Sequence, residues 1–142
     1  MPLPRVLEVE VMDTAAEAAD YNAMDHSAVN AAYAVDLLSA LASGGREPPD
    51  ISAGSRWEKT RKYQGADAPR SPLQILDLGT GTALIPIEIC RRTSGCRITA
   101  VDLAAHMLAM AKTNVVTAGF ADRIILQQID AKALPFADGQ FD

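Results

Sequence analysis

Three acidic residues, Asp77, Asp102 and Asp130, each stand where an apolar or β-branched run ends, and the first opens at once into the glycine pair Gly79 and Gly81. Carboxylates in such places accept hydrogen bonds from hydroxyl and amino groups and hold cations. The glycines allow a tight turn and let the backbone lie close against a ligand. Asp102 follows Gly81 by 21 residues and is placed to accept from both hydroxyls of a ribose. Asp130, in the run IDAKALPF, offers its carboxylate, and Ala131 its N–H, to the edge of a base such as adenine. Asp77 sits beside the turn, where a negative charge repels a pyrophosphate and suits an amino or sulfonium cation. Each carboxylate also has a plainer reading: Asp77 and Asp102 as caps of the helices that follow them, Asp130 as a strand end.

The elements that must position these groups follow from periodicity. A buried strand is expected over residues 74–78, a helix over 83–92, a strand over 97–102, a helix over 104–118 and a strand over 124–129. Met107, Leu108, Ala111 and Val115 line one face of the second helix, which Gly119 stops, and Pro86 falls in the first turn of the helix before it. Strands joined by helices pair in parallel, giving an α/β fold: a Rossmann-like βαβαβ half of a doubly wound parallel sheet. Ligands bind such sheets at the carboxyl ends of the strands, where the three aspartates lie.

Before this half come two other parts. Residues 1–42 read as an N-terminal helical segment, with a short helix from Asp13 or Thr14 to about Tyr21 and a longer one from about Ala28. The longer helix carries Val29, Tyr33, Leu37, Ala40 and Leu41 on its apolar face, with Ser27 as its cap and Gly44 at its end. Residues 43–72 mix Gly, Pro, Ser and charge without periodicity and read as a polar loop or linker, with Trp57 and Tyr63 to anchor it or touch substrate. Residues 73–142 are the binding half.

Composition narrows the function classes. The chain has 142 residues, 49% of them hydrophobic and 22% charged, with a net charge of −5 and no long basic run, so nucleic acid is disfavoured as a partner. Cys90 and Cys96 lack metal-site spacing and read as reduced, partly buried thiols, and no metal is expected. No run approaches the ~20 apolar residues that span a bilayer. Glu8, Glu10, Asp13 and Glu17 break up any signal-peptide core, so a cytoplasmic location is expected.

A nicotinamide-dependent oxidoreductase would call for a third small residue in its glycine turn, yet counting from Gly79 that place holds Leu84. Leu84 and Asp77 therefore count against a dinucleotide, and a non-catalytic binding or interaction module is the other alternative.

In ILDLGTGTA, VDLAAHML and DAKALPFADGQFD the chain resembles the class I S-adenosylmethionine-dependent methyltransferases, over about Leu73 to Asp142. The resemblance implies methyl transfer from S-adenosyl-L-methionine to a small-molecule acceptor whose identity it leaves open. It puts Gly79, Thr80 and Gly81 along the methionine part, Asp77 on its amino group, Asp102 on the ribose, Leu103 on the adenine face, and Asp130 with Ala131 at the adenine edge. YNAMDHSAVN is similar to a lead-in whose helices close over the cofactor in some members, which draws attention to Tyr21, His26 and Asn30; His106 reads as a solvated or capping residue. Two departures stand out. Ala83 replaces a common third Gly, a mild change, and Ala104 replaces a common Ser, which deprives the second helix of its cap.

In that family the fourth strand pairs with the first. The chain is thus expected to be the N-terminal half of the domain and a fragment of a longer protein, with strand 74–78 as an unpaired edge. Alone it should self-associate through that edge and show little transferase activity.

Overall fold

Apolar residues two apart on three short strands, and three or four apart on the segments between them, build one sheet with helices against it. A computed structural model describes residues 13–42 and 72–142. The elements run α1 (Ala15–Ala23), α2 (Ser27–Ala42), β1 (Leu73–Leu78), α3 (Leu84–Arg92), β2 (Cys96–Asp102), α4 (Ala105–Ala118) and β3 (Ile124–Gln128). The strands are parallel in the order β1-β2-β3, as the alternation of strand and helix implies. Residues 1–12 and most of the polar segment, with Gly44, Trp57 and Tyr63, lie outside the described residues.

Register explains which side chains are buried. Ile75, Ile98 and Ile124 form one row across the sheet, and Asp77, Ala100 and Leu126 form the next row on the same face. The isoleucines and Ala100 join Ile87, Ile89, Ala111 and Val115 from α3 and α4 in the core. Asp77 therefore occupies a core-facing position in the pleat, which is why its carboxylate is largely removed from water. On the opposite face Leu78 and Ile125 are about half exposed.

The outer edge of β1 meets the end of the chain. Asp142 donates its N–H to the Gln74 carbonyl at 2.8 Å and accepts the Gln74 N–H on its carboxylate at 2.7 Å. An edge-to-face pair of Phe136 and Phe141, 5.1 Å between centroids, folds the intervening loop.

The N-terminal helices dock on the crossover helices. Thr14 caps α1 in a reciprocal pair with Glu17, so the expected short helix forms with a capping box at its start. α2 packs on α3 through Ala34, Leu37, Leu38 and Leu41. Val29 and Tyr33, expected on that face, are instead 71% and 52% exposed. The stripe at 34, 37, 38 and 41 takes the contact, and Tyr33 is left to stand beside the sheet's carboxyl edge. Ser27 is the first residue of α2 rather than its cap; its N–H and hydroxyl both donate to Asp25.

α4 has no side-chain cap of its own, as Ala104 implies. The expected loss is nevertheless offset from elsewhere. Asp13 accepts the His106 N–H at 3.1 Å and also bonds the His106 ring at 3.0 Å, so a residue 93 positions away caps the helix. These bonds hold the Asp13 carboxyl below its ordinary 3.8, the backbone N–H of His106 being the largest cause. A lowered carboxyl stabilises the folded state above its unfolded value, and that contribution disappears as pH falls through the folded value. Asp13→Asn should therefore speed amide exchange in α1 at neutral pH while leaving β2 unchanged. The difference from the native chain should close as pH falls below 3.8.

Arg123, just before β3, pins the far corner. Its guanidinium donates to the carbonyls of Cys90 (3.1 Å), Thr93 (2.6 Å) and Cys96 (3.2 Å), and to the Cys96 thiol (3.1 Å). Two of those carbonyls belong to the open end of α3, where no intrahelical donor remains. Cys90 and Cys96 are free and buried, and burial pushes the Cys90 thiol up to about 12.

Candidate cofactor site

The turn after β1 consumes its own donors. The N–H groups of Gly79 and Thr80 both reach the Val101 carbonyl at 2.9 Å, Gly81 N–H donates to the Asp102 carboxylate at 2.8 Å, and Ala83 N–H to the Thr80 carbonyl at 3.0 Å. Gly79 and Gly81 have φ of 71° and 57°, the left-handed region that only glycine enters at little cost. Ala83 does so too, with φ 62° and no exposed surface. Its replacement of glycine is therefore not mild. A Cβ there costs on the order of 1–2 kcal/mol, which the surrounding hydrogen bonds and packing must offset.

With those four N–H groups taken up internally, buried side-chain oxygens are left over. Asp77 Oδ2, Thr80 Oγ1 and Thr82 Oγ1 are buried without a hydrogen-bond partner among the described residues. Burial pushes the Asp77 carboxyl above its ordinary value. The Thr80 hydroxyl, facing it without a completed hydrogen bond, draws it part of the way back, and the charge of Asp102 adds to the rise. The Asp77 carboxylate, once ionised, calls for a donor that carries positive charge, while the two threonine hydroxyls can each donate or accept beside it.

These groups border a cleft of about 190 Å³ lined by Asp77, Leu78, Gly79, Thr80, Thr82, Leu84 and Ile85 on the sheet side and by Tyr21, Asn30 and Tyr33 on the N-terminal helices. Tyr21 packs with Ala18, Ala104 and Met107, and its ring comes within 3.7 Å of where a Gly81 Cβ would stand. His26 stacks on Tyr21 at 5.1 Å and turns away from this cleft, toward a larger one of about 400 Å³ between the α1–α2 joint and the outer faces of α3 and α4. The larger cleft lies off the carboxyl ends of the strands.

The other expected contacts lie beside the cleft rather than in its lining. Asp102 uses one oxygen for Gly81 N–H and the other for Ala104 N–H at 2.9 Å, so it braces the turn and the start of α4 together. Leu103 is 45% exposed next to it, its carbonyl held by the Gln128 amide at 2.9 Å. Asp130 falls two residues past β3, where its carboxylate accepts the Lys132 N–H at 2.8 Å and its carbonyl the Ala133 N–H at 2.9 Å. Ala131 is exposed in that turn. His106 is taken by Asp13, as a capping role required.

A family model described as a methyltransferase domain matches residues 75–142, the glycine turn and all three acidic strand ends included. Residues 75–142 thus resemble a methyltransferase domain in sequence. The chain is similar to a demethylmenaquinone methyltransferase of Thermus thermophilus, at 36% identity over 107 residues, 75% of this chain and 44% of that protein. It is also similar to a release factor glutamine methyltransferase of Chlorobaculum tepidum, at 41% identity over 81 residues, 55% of this chain and 27% of that protein. It thus spans less than half the length of these relatives. A crystal structure from Methanococcus maripaludis, of a protein assigned as an S-adenosyl-L-methionine-dependent methyltransferase, overlays 93% of this chain and 48% of its own with a TM-score of 0.55 at 17% identity. That likeness establishes the Rossmann-like fold and extends it over the N-terminal helices.

The methyltransferase domain was visible in the motifs, but three of the residues that shape the site were not. Asp13, expected only as one of two starts of α1, caps α4 from 93 positions away; Tyr33 lay in a helical pattern that pointed it to the wrong surface; and Asn114, on α4, bonds the Thr82 carbonyl in the turn.

Proposed function

We propose that the chain carries the cofactor-binding half of an S-adenosyl-L-methionine-dependent methyltransferase. The observation that carries this reading is the chemistry of the turn after β1: the N–H groups of Gly79, Thr80, Gly81 and Ala83 are engaged internally, and the buried Asp77 carboxylate has an oxygen without a partner among the described residues. Such a turn suits the ammonium of a methionine moiety and disfavours the pyrophosphate of a nicotinamide dinucleotide.

In this reading Asp77 holds the amino group, with Gly79, Thr80 and Gly81 along the methionine chain and Tyr21 closing the cleft above them. Asp102 takes the ribose, Leu103 packs on the adenine, and Asp130 with Ala131 meets its edge. Asp102 has lone pairs to spare, because a carboxylate accepts about four bonds and two are in use among the described residues. The cofactor, once bound, supplies an electrophilic methyl on a sulfonium. The residues of this chain bind and align it, and alignment of this kind is worth roughly 7–11 kcal/mol in favourable cases.

The acceptor proposed is a small molecule. The Thermus relative, named for a demethylmenaquinone, matches over 107 residues, and the relative named for a release factor glutamine over 81. The longer match takes in part of the chain ahead of the methyltransferase domain. A cytoplasmic location and self-association along the β1 edge complete the proposal, the second resting on a strand that among the described residues pairs with β2 alone and meets Asp142 only at Gln74 on its other side.

Titration calorimetry tests the reading: S-adenosyl-L-methionine should bind and NADH should not, and the reverse order would sink it. The ribose contact needs a subtler test, because Asp102→Ala also releases Gly81 and Ala104. Removing the 2′-hydroxyl from the ligand avoids that difficulty. The native chain should bind 2′-deoxy-S-adenosylhomocysteine about tenfold less tightly than S-adenosylhomocysteine, and Asp102→Asn should narrow the gap. An equal gap in both proteins would remove Asp102 from the ribose.

A further inference from the structure

α1 contributes Tyr21 to the cleft, so what holds α1 in place also sets the shape of the site. Two of its attachments are ordinary ones, the Asp13 cap on α4 and the small apolar cluster of Ala18, Ala104 and Met107. The third is different. The Asn114 amide, on α4, donates to the Asn22 side-chain oxygen at 2.7 Å and to the Thr82 backbone carbonyl at 2.9 Å. One nitrogen thus bonds both the covering helix and the turn, and Asn114 lies 92 residues from the first partner and 32 from the second.

Thr82 is where such a bond matters most. It is 1% exposed, its hydroxyl has no partner among the described residues, and it immediately precedes Ala83, the residue held in the left-handed region. A peptide next to a strained residue keeps its orientation only if its polar groups are fixed. Gly81 N–H is fixed by Asp102, Ala83 N–H by Thr80, and the Thr82 carbonyl by Asn114.

We propose that Asn114 is a positioning residue that couples the docking of α1 to the conformation of the glycine turn, so that the two walls of the cofactor cleft are set together. The coupling rests on the cofactor reading above. Asn114 itself touches no ligand atom. It acts through Asn22 on the wall that carries Tyr21, and through Thr82 on the wall that carries Thr80 and Asp77.

Amide hydrogen exchange on the 142-residue chain, with and without saturating S-adenosyl-L-methionine, tests this. In the native chain the ligand should slow exchange both at the turn and along α1, the latter by at least about fivefold. In Asn114→Leu and in Asn22→Leu the turn should still respond, but α1 should change less than about twofold. Asn22→Asp keeps an acceptor for the Asn114 amide and should behave as native. Unchanged amides in β2 report that each variant is folded, and if Asn114→Leu fails that check the two Asn22 variants decide alone. Retention of α1 protection in Asn22→Leu would overturn the coupling and leave the cofactor reading intact. No protection of the turn in the native chain would overturn the cofactor reading, and the coupling with it.

Discussion

Asp77→Asn should make the chain more stable and a poorer binder at the same time. The Asp77 carboxyl is raised by burial above its ordinary value, so the folded chain prefers it protonated. Below the unfolded value this costs nothing. As pH rises from there through the raised folded value, ionisation of a buried carboxylate without a partner among the described residues erodes stability. An amide of the same shape carries no such loss. Thermal melts should therefore show Asp77→Asn above the native chain at pH 7, with the two converging as pH falls below the ordinary 3.8. Affinity for S-adenosyl-L-methionine should move the other way, falling by roughly 30-fold or more, about 2 kcal/mol, because a desolvated charge pair is lost. The native chain's affinity should also rise with pH as Asp77 ionises. A variant that binds as tightly as the native chain would remove Asp77 from the cofactor's ammonium.

Arg123→Ala carries the largest expected cost to stability. Its fork satisfies three carbonyls, at Cys90, Thr93 and Cys96, and touches the Cys96 thiol, so one substitution orphans acceptors on both sides of the α3–β2 corner. Bonds from a charged donor are worth about 1.5–3 kcal/mol each in isolation, but they share one side chain and are not additive. A net loss of about 3 kcal/mol in urea denaturation is expected. Arg123→Lys should recover only part of it, since a single ammonium cannot span carbonyls arranged for a planar fork. The cation also lies 5.6 Å from the Phe120 ring, and that contact survives in the lysine variant. A loss under about 1 kcal/mol for the alanine variant would mean that water replaces the guanidinium at that corner.

The elements of this fold were legible because their signals are local. ILDL, RITAV and the helical stripe of Met107, Ala111 and Val115 each carry a period that burial requires, and Gly79 with Gly81 marks the turn that two positive φ angles demand. Thr14, one of the two starts expected for α1, is its cap. The placement of Asp77, Gly79 and Thr80 on one cleft follows from those elements. What could not be read was made by tertiary partners. Nothing near Ala104 says that Asp13 will cap its helix, and nothing near Asn114 says that it will meet Asn22 and Thr82. Tyr33 illustrates a different failure. It shares a helical period with Leu37 and Leu41, yet Ala34 rather than Tyr33 joins them in the contact, a choice made by the packing partner and not by the period. In sequence Asp102 reads as a ribose ligand or as a cap of the following helix; it does hold the Ala104 N–H at the start of α4, and only its second partner, the Gly81 N–H, was invisible to spacing.

The two thiols at the Arg123 corner give the molecule a built-in reporter. Cys90 and Cys96 are 4% and 1% exposed, and alkylating reagents attack only a thiolate they can reach. With Cys90 pushed up to about 12 in the closed form, labelling has to proceed through molecules in which that corner has come apart. The rate of carbamidomethylation by excess iodoacetamide then measures how often the α3–β2 corner opens, without any introduced dye or isotope, and it does so at the place that Arg123 holds shut.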